Sequence, residues 1–226
     1  MRRILALFLC LSLLPLTARS EEVKYVALTF DDGPSGKYTR LLLDGLYERG
    51  AKATFLLCGY RIKDYPDITQ RIHDEGHEIG IHGYSHKSMK VMSRRDIAAE
   101  IADTQALLPQ GCRVRFVRPP GGFCSDALRQ VAEVRKLAIL SWSVDPRDWE
   151  IRDAAAIEAA VLKTIQDGDI VLLHDMSSSS VKAALDIADA LMKEGFELVT
   201  VSELARLRCT APKPGQICKA FPPKQK

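Results

Sequence analysis

Apolar stretches and amphipathic stretches alternate along the chain after residue 20. The apolar stretches lack a regular polar face, as is typical of strands buried on both sides in a parallel sheet. They predict strands over 23–30, 52–57, 77–82, 113–118, 137–144, 169–174 and 196–201. The amphipathic stretches predict helices over 36–49, 61–75, 93–108, 125–135, 153–166 and 180–194. Several of these end at a glycine, a common residue at helix C-termini. The alternation therefore predicts an α/β fold.

Chemically reactive side chains stand where these predicted strands end. In chain order they are Asp31 with Asp32, His82, Arg118, the run 145–149 and His174. In a closed α/β barrel the carboxyl ends of the strands meet on one face, where barrel enzymes carry their chemistry. An open doubly wound sheet also binds ligands at this edge, but it has difficulty in bringing five strands to one point. We therefore predict a distorted (β/α) barrel of about seven parallel strands in a single domain.

The N-terminal segment has the pattern of an export signal. Arg2 and Arg3 precede an apolar run over 4–16, and the triplet 18–20 is a small-x-small cleavage motif. Such a segment is too short and wrongly flanked for a membrane span. We predict a signal peptide over 1–20, with an uncleaved N-terminal anchor as the alternative. The protein is then expected to be periplasmic, associated with the cell wall, or secreted.

Charge excludes one class of partner. The whole chain has 32 basic and 29 acidic residues, and three of the arginines lie within residues 1–20. The remaining chain is therefore neutral and lacks the basic surface by which proteins bind nucleic acid. Its length suits one domain with a substantial core. We place that domain at 21–208 and a tail at 209–226, whose Lys/Pro-rich end after Cys218 is predicted to be solvated.

Five cysteines follow the predicted signal, and cysteines in exported proteins are usually paired. Cys209 with Cys218 would staple the tail, and Cys112 with Cys124 would clip the loop that carries the arginine at the end of the fourth strand. Cys58, at the end of an apolar strand, is then predicted to be a buried free thiol.

The adjacent carboxylates Asp31 and Asp32 are the strongest chemical signal. Like charges on neighbouring residues repel and favour a counter-charge such as a metal ion. With His82 and His86 they offer one carboxylate and two imidazoles, a set of three ligands that leaves a position open for water. Each motif alone has a plainer explanation, since Asp-Gly-Pro is common in turns and single histidines are more often surface or core residues. Their joint placement at strand ends favours a catalytic metal site.

Five short motifs in order resemble those of the polysaccharide deacetylases, which are carbohydrate esterase family four with the NodB-type domain. The resemblance runs from about residue 23 to residue 205 and is strongest to bacterial peptidoglycan and chitooligosaccharide deacetylases. It implies a distorted barrel and metal-dependent removal of acetyl groups from polysaccharides. The motifs are Thr29-Phe30-Asp31-Asp32-Gly33-Pro34, His82-Gly83-Tyr84-Ser85-His86, Arg118-Pro119-Pro120-Gly121-Gly122, Asp145-Pro146-Arg147-Asp148-Trp149 and Leu172-Leu173-His174.

The resemblance implies roles for the matched residues. Asp32, His82 and His86 would bind one divalent metal ion, expected to be Zn²⁺, with Co²⁺, Ni²⁺ or Mn²⁺ as alternatives. Asp31 would act as the general base, and Arg118 would pair with it and orient it.

The same resemblance assigns the acid and the substrate contacts. His174 would protonate the departing amine, and Asp148, rather than Asp145, would orient it. Gly121 stands where the family commonly has tyrosine, so it would offer a backbone N–H to the oxyanion without the wall of a side chain. The slot for the acetyl methyl group would be formed by Trp149 and Leu172.

Three functions remain open from the sequence. The first is an exported deacetylase acting on N-acetylglucosamine residues of peptidoglycan or a chitin-like glycan. The second is an O-acetyl esterase acting on xylan or another glycan, since the same residues serve both reactions. The third is a non-catalytic glycan-binding domain, which has no need to combine Asp31 with His174. His73 and His77, at helical and strand-start positions, are predicted to be non-catalytic, and the oligomeric state is unconstrained.

Overall fold

The structure, a computed structural model, describes residues 23–224, and this range contains eight strands and eight α-helices. The strands are β1 (Lys24–Asp31), β2 (Thr54–Leu57), β3 (Glu78–Ile81), β4 (Phe116–Val117), β5 (Ala138–Leu140), β6 (Ile170–His174), β7 (Phe196–Leu198) and β8 (Ile217–Cys218). The helices are α1 (Tyr38–Glu48), α2 (Gly59–Asp64), α3 (Pro66–Asp74), α4 (Arg94–Gln105), α5 (Asp126–Val134), α6 (Ala154–Leu162), α7 (Ser178–Lys193) and α8 (Val201–Leu207).

The strands form one parallel sheet that curls into a barrel. Its order is β6-β1-β2-β3-β4-β5-β8, and β7 pairs with the first part of β1. β1 therefore has β7 beside 24–26 and β6 beside 27–31. Beyond β5 the chain returns to β6, where Val144 forms a parallel bridge with Val171. The predicted distorted barrel of parallel strands is confirmed.

The C-terminal segment closes the gap between β5 and β6. β8 pairs with β5, and Asp169 at the start of β6 forms an antiparallel bridge with Ala220. The backbone N–H of the buried Phe221 donates to the carbonyl of Gly168 over 2.8 Å. The prediction of a solvated end after Cys218 is therefore wrong for Ala220 and Phe221, because their backbone groups and the Phe221 ring complete the barrel.

Two layers of core follow from the alternation of side chains along each strand. Leu28 and Phe30 of β1 pack outward in a cluster that includes residues of α1 and α7. Ala27 lies in a different cluster, to which β2, β4, β5 and β6 also contribute. Cys218 of β8 belongs to it as well, and a cluster shared by six strands of a curled sheet is the interior of the barrel. Val201 and Leu204 of α8 join it, so α8 seals the amino-terminal end of the barrel.

Some elements differ from their predicted bounds. The predicted helix 61–75 is two helices, because Pro66 has no N–H to donate and therefore begins α3 instead of continuing α2. The predicted strand 113–118 is shortened to β4. Helix α8 and strand β8 were not predicted.

The two expected disulfides are not formed. All five cysteines of the described range are free, and Cys58 is buried, as predicted for that residue. Cys112 and Cys124 pack against different core clusters, while Cys209 is exposed and Cys218 is buried in β8. Each pair is thus divided between two environments. Burial raises the pKa of the Cys58 thiol, so it is a poor nucleophile.

The described residues bear on two further predictions. The predicted signal peptide at 1–20 lies outside them. Within residues 23–224 no helix combines the length and the apolar character that a membrane crossing requires.

Candidate active site

Three strands deliver reactive side chains to one mouth of the barrel. Side chains two positions apart on a strand share a face. Ala27 and Ile170 belong to the interior cluster, so Asp31 and His174, four positions further along β1 and β6, also point inward. Asp31 and His174 are register partners in neighbouring strands. The alternation therefore places a carboxylate and an imidazole side by side above the packed interior.

A cavity of about 370 Å³ opens at these carboxyl ends. Eight of the residues predicted for the site line it, while the other two, Arg118 and Asp148, lie behind Asp31 and His174 and contact them. The lining residues are Asp31, Asp32, His82, His86, Gly121, Gly122, Trp142, Asp145, Trp149, Leu172 and His174.

Asp32, His82 and His86 present their ligand atoms to one another. One donor atom from each residue lies within 4.8 Å of the other two. The Oδ1 atom of Asp32 is 3.3 Å from Nε2 of His82 and 2.9 Å from Nε2 of His86. Asp32 and His86 both have positive φ, 73° and 58°, a strained backbone conformation that often marks functional loops. One carboxylate oxygen and two imidazole nitrogens are a suitable set for a divalent metal ion.

Neighbouring groups keep the imidazole of His82 and the carboxylate of Asp32 in forms that can bind a metal ion. Nδ1 of His82 lies 2.8 Å from the carbonyl oxygen of Arg118, so Nδ1 carries the proton and Nε2 keeps its lone pair. Oδ1 of Asp32 is buried and has no assigned hydrogen bond within residues 23–224. Burial opposes ionisation of Asp32, but the imidazoles of His82 and His86 hold its pKa well below the ordinary value. The donor set therefore fits a cation.

Arg118 crosses the barrel interior and fixes Asp31. Its side chain is fully buried. Nη1 donates to Oδ1 of Asp31 over 2.7 Å and to the hydroxyl of Thr29 over 2.8 Å. Nη2 donates to the carbonyl of Ser141 over 3.0 Å. Because the guanidinium is held by β1 and by the end of β5, Asp31 has little freedom to rotate. The second oxygen of Asp31 lies 3.7 Å from Nε2 of His82.

Asp148 holds His174 by two contacts. Oδ1 of Asp148 is 2.8 Å from Nδ1 of His174, and Oδ2 accepts the backbone N–H of His174 over 2.8 Å. Burial lowers the pKa of His174, but the hydrogen bond and charge of Asp148, with the more distant Asp31 and Asp32, outweigh it and raise the pKa to about 9. His174 is therefore protonated near neutral pH. Asp145 instead accepts the backbone N–H of Arg147 over 2.9 Å.

The apolar wall of the cavity contains a tryptophan that sequence reasoning missed. Trp142 lies against the loop of Gly121 and Gly122, and a Cβ atom on Gly122 would be 2.6 Å from its ring. Trp142 follows Leu140 by two positions, and Leu140 belongs to the interior cluster, so the strand alternation was the available signal. Leu172 lines the cavity deeply at 5% exposure, whereas Trp149 stands at its rim at 53% exposure.

The two histidines predicted to be non-catalytic lie away from this cavity. His73 is in α3. His77 precedes β3 and is therefore at the opposite end of that strand from His82. Burial, together with the charges of Lys52 and Arg71, lowers the pKa of His77 to about 4.

Comparison with known proteins agrees with this arrangement. The sequence profile of the family described as polysaccharide deacetylase matches residues 18–138. The peptidoglycan-N-acetylmuramic acid deacetylase PdaC of Bacillus subtilis is 37% identical over 187 residues, which cover 82% of this chain and 39% of PdaC. A peptidoglycan-N-acetylglucosamine deacetylase of Bacillus cereus is 37% identical over 191 residues, which cover 82% of this chain and 90% of that protein. The chain thus spans about two fifths of the first relative and nearly all of the second.

A solved structure shares the whole fold. The family 4 acetyl xylan esterase of Clostridium thermocellum, in complex with a cobalt ion, superposes with a TM-score of 0.82 at 34% identity. The match covers 88% of this chain and 100% of that one. Sequence profile, relatives and fold agree with the motifs and with the geometry of the cavity. The chain belongs to the polysaccharide deacetylase family.

Proposed function

We propose that this chain is an exported, metal-dependent deacetylase of glycans. Its reaction is hydrolysis of the N-acetyl group of N-acetylglucosamine residues in peptidoglycan or a chitin-like glycan, with release of acetate. The observation that carries the proposal is one cavity in which the Asp32, His82 and His86 donor set lies between an arginine-bound carboxylate and an aspartate-bound imidazole. The relatives named as peptidoglycan deacetylases support the substrate class.

Asp32, His82 and His86 would hold the divalent ion, for which we propose Zn²⁺, with Co²⁺, Ni²⁺ or Mn²⁺ as alternatives. When bound, such a cation makes water more acidic and polarises a carbonyl oxygen. The carbonyl of Arg118 fixes the ring of His82 and the tautomer that offers Nε2.

Asp31 is the proposed general base. It takes a proton from water as the water oxygen attacks the acetyl carbonyl carbon. Arg118 holds one carboxylate oxygen of Asp31, which leaves the other oxygen on the side of His82. Arg118 is therefore a positioning residue whose task is to aim the second oxygen at the attacking water.

His174 is the proposed general acid. Asp148 binds Nδ1 of its ring, so Nε2 is the nitrogen that donates a proton to the amine as the carbon–nitrogen bond breaks. Asp31 takes one proton from the water and His174 gives one to the amine, so the products are acetic acid, which ionises to acetate, and a free amino sugar. Asp31 then loses its proton to solvent and His174 takes one up, which restores the starting state. A residue that is charged at neutral pH is ready to act as an acid there.

The remaining proposed roles are binding ones. Gly121 lines the cavity, and its backbone N–H is the proposed donor to the developing oxyanion. Leu172 and Trp149 would contact the acetyl methyl group, and Trp142 extends this apolar wall.

Acetate release tests the proposal. The protein is treated with a chelator and assayed on N-acetylglucosamine oligomers and on peptidoglycan, before and after addition of Zn²⁺ or Co²⁺. We expect chelation to abolish acetate release and the metal to restore it. Glycan binding without acetate release at any metal concentration would contradict the proposal and support a non-catalytic glycan-binding domain.

An O-acetyl esterase is the second candidate, because a solved structure at 34% identity is named an acetyl xylan esterase. The same base, acid and ligand set would serve an ester. Rapid acetate release from acetylated xylan, with none from N-acetylated oligomers, would favour this candidate over the first.

A further inference from the structure

An exposed aromatic ring stands at the rim of the catalytic cavity. Phe123 directly follows Gly121 and Gly122, both of which line the cavity. Its side chain is 55% exposed. A rigid ring beside a polar cavity suits packing against the apolar face of a sugar.

The ring of Phe123 stands over the backbone of Gly121. A Cβ atom built on Gly121 would lie 3.7 Å from Cδ2 of Phe123, and no atom other than those of this ring comes within 4 Å of it. Gly121 has a positive φ of 71°, so a side chain is disfavoured there. Phe123 therefore supplies, from two positions further along the chain, a wall that position 121 itself cannot provide.

Lys90 adds a positive charge to this wall. Its Nζ atom lies 4.7 Å from the centroid of the Phe123 ring. Lys90 is exposed, and among residues 23–224 it forms no ion pair with a carboxylate. The charge is therefore free to meet an anion from solvent.

The backbones that carry these two side chains are tied together. The hydroxyl of Ser125 donates to the carbonyl of Met89 over 3.3 Å and accepts the backbone N–H of Leu128 as the N-cap of α5. Met89 is fully buried. Lys90 and Phe123 thus project from anchored positions, which reduces the entropy lost when a ligand binds between them.

The part of the rim formed by Trp149 differs in charge. Trp149 also carries a cation, since the guanidinium of Arg147 lies 5.5 Å from its ring centroid. Arg147, however, forms an ion pair with Glu150. The cation beside Trp149 is thus neutralised by a carboxylate, whereas the cation beside Phe123 is not.

We propose that Phe123 and Lys90 form a sugar subsite that selects carboxylate-bearing glycans. Phe123 packs against a sugar ring, and Lys90 binds the carboxylate of an acidic amino sugar such as N-acetylmuramic acid. The preferred substrate is then a strand with free acidic sugars rather than a neutral chitin-like chain. This inference rests on the proposed deacetylase function for the position of the glycan, but it concerns recognition and not the hydrolytic step.

The test compares two glycans that differ only in charge. One is a tetrasaccharide of alternating N-acetylglucosamine and N-acetylmuramic acid with free carboxylates, and the other is its methyl ester. Calorimetry on zinc-loaded Asp31→Asn protein measures binding without turnover, and acetate release by the unmodified zinc-loaded protein gives kcat/KM. We expect the free acid to be favoured about fivefold in both measurements, as suits one exposed charge pair. Added salt should shrink the preference.

Two variants assign the effect to the proposed residues. Lys90→Met should reduce the ratio of acid to ester to about one, and Phe123→Ala should weaken the binding of both glycans. Lys87→Met is the matched control, because Lys87 is an exposed lysine of the same loop that makes no contact with a ring. It should keep the ratio of the unmodified protein.

The outcomes separate recognition from hydrolysis. A preference for the free acid that survives Lys90→Met, or the absence of any preference, would overturn the subsite and leave only a surface cation–π pair. Absence of binding of either glycan would also overturn it. A preference in calorimetry without acetate release would support the subsite and contradict the deacetylase function, so the two failures are distinguishable.

Discussion

At the scale of single residues, the proposed mechanism assigns metal binding and proton transfer to different side chains. Asp31 and Asp32 are neighbours in sequence, but they serve different partners. Asp31 ends β1 with its carboxylate on Arg118, while Asp32 has the positive φ that turns its carboxylate toward the two histidines. The positive φ of Asp32 thus points two neighbouring carboxylates at different partners.

Substitution should separate these two functions. Asp31→Asn keeps the shape of the side chain but removes the base, so we expect kcat to fall about 10²- to 10⁴-fold while the metal content stays near one ion per chain. His82→Ala should lose metal and activity together, because it removes a ligand. Activity assays with metal analysis by mass spectrometry measure both. A fully metal-loaded, inactive His82→Ala protein would contradict the ligand assignment.

The pair of His174 and Asp148 predicts a pH effect. The carboxylate of Asp148 stabilises the protonated imidazole, so Asp148→Asn should lower the pKa of His174 from about 9. Because His174 acts in its protonated form, activity is lost as pH rises through that pKa. The basic limb of the pH profile of kcat should therefore move to lower pH in the variant, and kcat at its optimum should fall. An unmoved basic limb would show that another group is the acid.

At the scale of elements, the sequence predicted the strands and helices that have a clear local pattern of apolar residues. It missed elements whose place depends on how the barrel closes. The apolar stretches predicted the seven strands β1 to β7, and the strand ends predicted the residues of the cavity. Helix α8 was overlooked because 196–201 was read as one strand. Thr200, three residues before Glu203, was an unused capping signal. Trp142 was also overlooked, although it lies two positions after the inward-facing Leu140 within the predicted strand 137–144.

The cap of α8 gives a prediction at this scale. The hydroxyl of Thr200 accepts the backbone N–H of Glu203 over 3.2 Å. Thr200→Ala should therefore lower the free energy of unfolding by about 1 kcal/mol, as measured by urea denaturation. Thr164→Ala is the control, since Thr164 is an exposed threonine just after α6 whose hydroxyl makes only a long contact of 3.5 Å, to the carbonyl of Ala160. If both variants lost the same stability, the cap would not be the cause.

At the scale of the whole molecule, the two ends of the barrel have separate tasks. The carboxyl end carries the reactive residues, whereas α8 and the segment around Phe221 seal the other end. The sequence could not predict this seal, because the pairing of Asp169 with Ala220 joins segments that are distant along the chain. Substitutions that weaken the seal should thus lower the free energy of unfolding more than they lower the rate of the reaction.

Gly168 tests the seal. It has a φ of 93°, and a Cβ atom there would lie 2.2 Å from the carbonyl oxygen of Phe221. Gly195 has a φ of 80°, and a Cβ atom there would have no other atom within 4 Å, so it is the matched control for backbone strain alone. Both alanine variants should lose about 1–2 kcal/mol for the left-handed conformation. Gly168→Ala should lose about 1–3 kcal/mol more for the clash, measured by urea denaturation. Equal losses of stability in the two variants would contradict a close contact between Gly168 and Phe221.

The position of β1 has a consequence for how the chain is made. Its 27–31 segment pairs on one side with β6 at 170–174, so that edge lacks its partner until most of the polypeptide has been synthesised. An apolar strand with an open edge is prone to associate with other chains. Folding of this barrel should accordingly be slow and dependent on nearly the full length of the chain. The barrel therefore cannot close before β6 has been synthesised.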